Sequence, residues 1–97
     1  RDAVAKGAGS VIVISAGFRE SGDKGATMQD ELARICRQGG ARLLGPNCLG
    51  LINTANSLNA SFAARLPNPG SIAFFSQSGA LCTAMLDLAQ ARHFGLS

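Results

Sequence analysis

The chain has 97 residues, the size of one small domain, so its hydrophobic core is modest. Hydrophobic residues make up 46% of it and charged residues 15%, a balance that excludes an intrinsically disordered polymer and fits a folded α/β protein. The net charge of +3 comes from basic residues scattered between Arg1 and Arg92, with no run and no interleaved aromatics. That pattern argues against a nucleic-acid surface and leaves a diffuse positive potential suited to a phosphorylated ligand.

In chain order, Asp2-Ala3-Val4-Ala5-Lys6 reads as the tail of a helix stopped by Gly7 and Gly9. Ser10-Val11-Ile12-Val13-Ile14-Ser15 is an unbroken β-branched run, which predicts a strand covered on both faces, as in a parallel sheet. A loop from Ala16 to Asp23 leads into a helix predicted over about Lys24 to Gln38. Met28, Leu32, Ile35 and Cys36 line one stripe of that helix, and Gly39-Gly40 ends it. Acidic Asp30 and Glu31 come early and basic Arg34 and Arg37 late, as the helix dipole favours. Arg42-Leu43-Leu44 is the next short strand, and a helix between two such strands predicts a right-handed βαβ crossover.

Gly45-Pro46-Asn47-Cys48-Leu49-Gly50 then ends that strand in a turn. Two readings stand: an ordinary turn around a buried cysteine, or a turn presenting Asn47 and Cys48 where α/β proteins place their sites. From Cys48 to Gly70 the sequence is rich in Asn and Ala and closes on Pro67-Asn68-Pro69-Gly70. An irregular segment is predicted here, with a domain boundary at its end. Ser71-Ile72-Ala73-Phe74-Phe75 predicts a third strand. It passes through Ser76-Gln77-Ser78-Gly79 into a helix of about Ala80 to Ala91. Leu81, Met85 and Leu88 form one apolar stripe and Cys82, Leu86 and Ala89 a second, which predicts a deeply buried helix. Phe94 to Ser97 read as the approach to a further strand, and a start at Arg1 inside a helix reads as a piece of a longer polypeptide.

Several residues carry candidate chemistry. Ser78 is a good N-cap and Gly79 lets a ligand approach the backbone, so the helix start is either plainly capped or an anion site. No Walker-type phosphate loop is present, and Gly7-Ala8-Gly9 precedes its strand, the wrong order for a dinucleotide fingerprint. Cys36, Cys48 and Cys82 are odd in number and lack a C-x-x-C spacing, which argues against a disulfide framework and against a metal site, and points to a reducing, cytoplasmic location. No apolar run approaches the ~20 residues of a membrane span. His93 sits near a helix C-terminus, and no catalytic role is assigned to it. Cys48 has no neighbouring base in sequence and is read as lining a site rather than as a nucleophile.

Taken together, Ile14-Ser15-Ala16-Gly17-Phe18, Leu44 to Gly50, and Ile72 to Leu81 resemble the NDP-forming acyl-CoA synthetases of the succinyl-CoA synthetase superfamily. The resemblance spans nearly the whole chain and rests on three motifs in register. It implies an α/β fold in which a Rossmann-like half, with parallel strands and a crossover helix, precedes the first strand–helix unit of a flavodoxin-like domain. Residues 1–52 then correspond to the C-terminal half of a CoA-binding domain, 53–69 to a linker, and 70–97 to the start of the ligase domain. The same resemblance implies that Ser15, Ala16 and Gly17 touch CoA and that Asn47 and Cys48 lie near its thiol. It also implies that the helix start formed by Ser76, Ser78 and Gly79 faces a phosphorylated histidine.

Ala16 and Thr83 depart from the succinyl-CoA synthetase pattern, which has an acidic and an aromatic residue there, so the acetate or general acyl branch fits better. The implied reaction joins an acid to the CoA thiol through an acyl phosphate and a phosphohistidine, coupled to ATP/ADP turnover. In the family the CoA phosphate loop falls before Arg1. The phosphorylated histidine and the ATP-grasp region that takes ATP or ADP with magnesium fall after Ser97. No catalytic residue is therefore assigned within residues 1–97, and by themselves they are expected to be inactive. The implied partners are CoA, a small carboxylic acid or acyl phosphate, and an ATP-grasp domain or subunit, within an oligomer and without nucleic acid or membrane. The alternative is the synthetase-like regulatory region of a protein lysine acetyltransferase, which shares these motifs.

Overall fold

Ser10–Ile12 (β1) and Arg42–Leu44 (β2) pair in parallel in the computed structural model, which describes residues 1–97. The register sets Val11 beside Leu43, and two further bonds lengthen the ladder: Arg42 N–H to the Gly9 carbonyl at 3.0 Å and Val13 N–H to the Leu44 carbonyl at 2.9 Å. β1 is shorter than the predicted Ser10–Ser15 because its partner ends at Leu44, where Gly45 turns away at φ 93°.

A short helix, Asp2–Ala5 (α1), precedes β1, and Asp23–Gln38 (α2) connects the two strands. α2 buries Cys36, which is 2% exposed. Its predicted apolar stripe is graded, since Leu32 and Ile35 are half-buried and Met28 is exposed. The expected stop after Gln38 is a Schellman motif: Ala41 N–H bonds the Cys36 carbonyl at 2.8 Å and Gly40 N–H the Arg37 carbonyl at 3.2 Å. Near the start of α2, Gly25 is buried against the preceding loop, and a Cβ there would lie 1.8 Å from the Phe18 carbonyl oxygen. These elements form one compact unit, Arg1–Cys48, with the parallel-strand-and-crossover arrangement of a Rossmann-like fragment.

The second unit, Leu49–Ser97, opens with a feature that corrects the expected irregular segment. Gly50–Asn53 (β3) and Leu58–Ser61 (β4) form an antiparallel hairpin, joined by a 3-10 turn over Thr54–Asn56 and a left-handed Ser57. Asn53 accepts the Asn56 N–H at 3.0 Å, and the Ser61 hydroxyl accepts the Ala63 N–H at 3.0 Å. The asparagines and serines that read as loop formers are closing a hairpin. The expected boundary at Ile52 lies inside β3, and the two units divide after Cys48.

Pro69–Ile72 (β5) pairs in parallel with Leu96, through Leu96 N–H to the Asn68 carbonyl and Ser97 N–H to the Ile72 carbonyl, both at 2.9 Å. The predicted strand Ser71–Phe75 is thus shifted toward Pro69, where the partner lies, and in the segment expected to approach a further strand Leu96 alone forms isolated bridges. Gly79–Arg92 (α3) connects them. Ala89 and Leu96 are buried and the Thr54 hydroxyl donates to the Leu96 carbonyl at 2.7 Å, making a small core. The expected deep burial of α3 is corrected: Leu81 is 50% exposed and Leu88 45%. Its apolar residues run round the whole helix, and this unit covers one side of it.

Candidate functional site

Residues 15–17 follow β1 and residues 45–48 follow β2, so both loops leave the same, C-terminal edge of the parallel pair. Open α/β sheets take their ligands at that edge. A backbone bond joins the loops: Asn47 N–H donates to the Ser15 carbonyl at 3.0 Å. Asn47 adopts φ 53°, a left-handed conformation that asparagine tolerates better than most residues. The Cys48 thiol reaches back to the Val13 carbonyl at 3.5 Å. Gly45 leaves the room for this: a Cβ there would sit 2.3 Å from the Val13 oxygen and 3.0 Å from the Cys48 Sγ. Ser15, Ala16, Gly17 and Asn47 are exposed at this edge and Cys48 is half-buried, so the sequence-predicted CoA residues gather in one open place.

The loop after β1 has its own anchor. One oxygen of Glu20 accepts the Gly17 N–H at 2.7 Å and the Phe18 N–H at 3.2 Å. The Glu20 carboxyl is held below the usual carboxylate range, first by its own backbone amide and then by that of Gly17, against a partly opposing desolvation, with the Phe18 amide contributing least. Sequence reasoning passed over Glu20. The signal available was a carboxylate three residues after a glycine at a strand end.

In the second unit, Ser76, Ser78 and Gly79 gather at the start of α3. The Ser78 hydroxyl accepts the Leu81 N–H at 3.3 Å, and the Ser76 hydroxyl accepts the Ser78 N–H at 3.0 Å. Gly79 and Ala80 occupy the first turn, where amides have no intrahelical partner, and a Cβ at Gly79 would meet nothing within 4 Å. Geometrically this is a capped helix end open to an anion. Sequence reading also missed a cleft of about 410 Å³ in this unit, lined by Phe62, Arg65, Thr83, Leu86, Asp87 and Gln90, among others. It was hidden because one wall is the segment read as irregular.

No protein-family profile matches the chain. ADP-forming acetate–CoA ligase I of Archaeoglobus fulgidus is 46% identical over 86 residues, which is 89% of this chain and 13% of that enzyme. The alpha subunit of ADP-forming acetate–CoA ligase I of Pyrococcus furiosus is 40% identical over 92 residues, or 95% of this chain and 20% of that subunit. Among solved structures, a dinucleotide-forming acetyl-coenzyme A synthetase 1 of Ca. Korarchaeum cryptofilum, in complex with phosphate and ADP, matches with a TM-score of 0.91 and 35% identity, covering 99% of this chain and 20% of that one.

The chain is homologous to the ADP-forming acyl-CoA synthetases. The resemblance read from the three motifs is thereby borne out, and with it the ligase class of the relatives. The acetyltransferase alternative gains no support from these relatives, each of which is a ligase or synthetase. The chain spans 13% of the length of the Archaeoglobus ligase and 20% of that of the Pyrococcus alpha subunit. No helix is long and apolar enough to cross a membrane.

Proposed function

We propose that these residues serve an ADP-forming acyl-CoA synthetase that joins a small carboxylic acid to the CoA thiol, through an acyl phosphate and a phosphohistidine, at the expense of ATP. In this reading the first unit belongs to a CoA-binding domain. Ser15, Ala16 and Gly17 contact CoA, and Asn47 and Cys48 lie near its thiol. β5 and α3 open the ligase domain, with Ser76, Ser78 and Gly79 offering amides and hydroxyls to a phosphoryl group. ATP or ADP with magnesium is held by an ATP-grasp domain or subunit. The complete enzyme is an oligomer, and its place of work is the cytoplasm.

The single observation that carries this reading is the backbone bond from Asn47 to Ser15. It ties two strand-end loops into one surface at the edge where α/β sheets bind ligands, in a chain homologous to acetate–CoA ligases.

The test is made in the protein at its full natural length. Replacing Cys48 by Leu adds bulk at the loop and is expected to raise the KM for CoA about tenfold or more, as a misplaced contact does. Ser78→Ala is expected to slow phosphoryl transfer and leave the KM for CoA unchanged. A CoA KM that Cys48→Leu does not move would count against the site.

A further inference from the structure

The Ser15–Gly17 loop is exposed and begins where the strand ladder stops, yet it has a defined shape. Ser15 is fixed through its carbonyl by the Asn47 amide. Nothing on that side fixes Gly17, which adopts φ 101°, a conformation that most residues avoid and that a glycine leaves easily. What holds Gly17 is the Glu20 carboxylate, which takes its amide at 2.7 Å and the Phe18 amide at 3.2 Å on the same oxygen.

Glu20 is itself held on a firm base. It lies in a 3-10 turn over Arg19–Ser21, closed by Ser21 N–H to the Phe18 carbonyl at 2.8 Å. That turn is tied to α2 from three directions. Arg19 N–H donates to the Gln29 side chain at 3.3 Å, the Arg19 guanidinium pairs with Asp30 at 2.6 Å, and Gly25 packs beneath the Phe18 carbonyl. α2 thus supports the turn, the turn carries Glu20, and Glu20 holds the amides of the strand-end loop.

We propose that Glu20 is a positioning residue of the CoA site, whose carboxylate fixes the Gly17 and Phe18 amides and thereby sets the Ser15–Gly17 loop in the shape that receives CoA. The inference rests on the assignment of Ser15, Ala16 and Gly17 as CoA contacts. Glu20 acts through the loop and does not touch the ligand. Its two bonds are charge-assisted, the stronger class of hydrogen bond, and both close on one oxygen. Losing them frees the glycine hinge, and CoA must then order the loop on binding.

The experiment uses Glu20→Ala, Glu20→Gln and Cys48→Leu in the protein at its full natural length, with steady-state kinetics for CoA, acid and ATP and amide hydrogen exchange without ligand. Glu20→Ala is expected to speed exchange at Gly17 and Phe18 and to raise the KM for CoA about tenfold, with kcat and the other KM values within about twofold. Glu20→Gln keeps an oxygen acceptor without the charge and is expected to recover part of the loss, to within about threefold of wild type. If Cys48→Leu raises the CoA KM while Glu20→Ala leaves it unchanged, the site stands and the role of Glu20 is overturned. If neither variant moves it, the site assignment itself fails. A loss spread equally over kcat and every KM, with a lowered melting temperature, would mean that Glu20 merely supports the fold, and also overturns the proposal.

Discussion

A carboxylate that spends its oxygen on amides titrates differently from one in water. Glu20 is exposed, and its lowered pKa comes from hydrogen bonds to the charged form that outweigh the desolvation opposing them. The folded pKa is depressed. The order it gives the loop is therefore present above the ordinary glutamate value of about 4.3 and is lost as pH falls through the lower folded value. A carbon-13 titration of the Glu20 carboxyl is expected to show a midpoint below that ordinary value, with the Gly17 amide resonance moving in step. A midpoint at or above it would exclude the amide contacts. His93 offers a second prediction at this scale. It stands at φ 56° after α3, where its own N–H bonds the Gln90 carbonyl and the Phe94 N–H bonds the Ala89 carbonyl. His93 thus occupies the left-handed backbone stop usually given to glycine. His93→Gly is expected to stabilise the protein by about 1 kcal/mol in denaturant melts, through relief of that conformation.

At the level of elements, what could be read in the sequence was what repeats or punctuates. α2 was legible from its apolar period and the Gly39-Gly40 stop, and the structure places it at Asp23–Gln38 against a predicted Lys24 to Gln38. β2 was legible as Arg42–Leu44 because two leucines sit between the glycines that end α2 and begin the next turn. The β3–β4 hairpin was not legible. Leu58-Asn59-Ala60-Ser61 alternates over only four positions and has no β-branched residue, and its ladder is supported by side-chain bonds such as Asn59 to the Ala63 carbonyl at 2.9 Å. The strand-end edge carrying Ser15–Gly17 and Asn47–Cys48 was partly legible, through motifs that recur in a known family. The Glu20 anchor needed three-dimensional geometry, because its partners are backbone amides that every residue possesses. The seating of α2 on the Phe18 loop can be tested directly. With a Cβ 1.8 Å from the Phe18 oxygen, Gly25→Ala forces helix and loop apart and is expected to cost about 1–3 kcal/mol in chemical denaturation.

Over the whole molecule, apolar surface is left in the open. Phe75 is 90% exposed, Phe62 67%, Ile72 51% and Leu81 50%, more than single scattered surface residues would give. A polypeptide of residues 1–97 alone is therefore expected to bind a hydrophobic dye and to associate at micromolar concentration in sedimentation velocity. A monodisperse, dye-silent monomer would contradict this.

β5 and the Leu96 segment meet across a pair of glycines. A Cβ at Gly70 would lie 2.4 Å from the Gly95 carbonyl carbon, and a Cβ at Gly95 would lie 2.1 Å from the Pro69 oxygen. Both collisions are relieved by the same displacement, so Gly70→Ala and Gly95→Ala are not independent insults. Once either has pushed the backbones apart, the other finds the space already open, and the double variant should fall well short of the sum of the two. For a lineage drifting through sequence space, this seam behaves as a single locked position spread over two sites: the first departure is nearly prohibitive and the second nearly free.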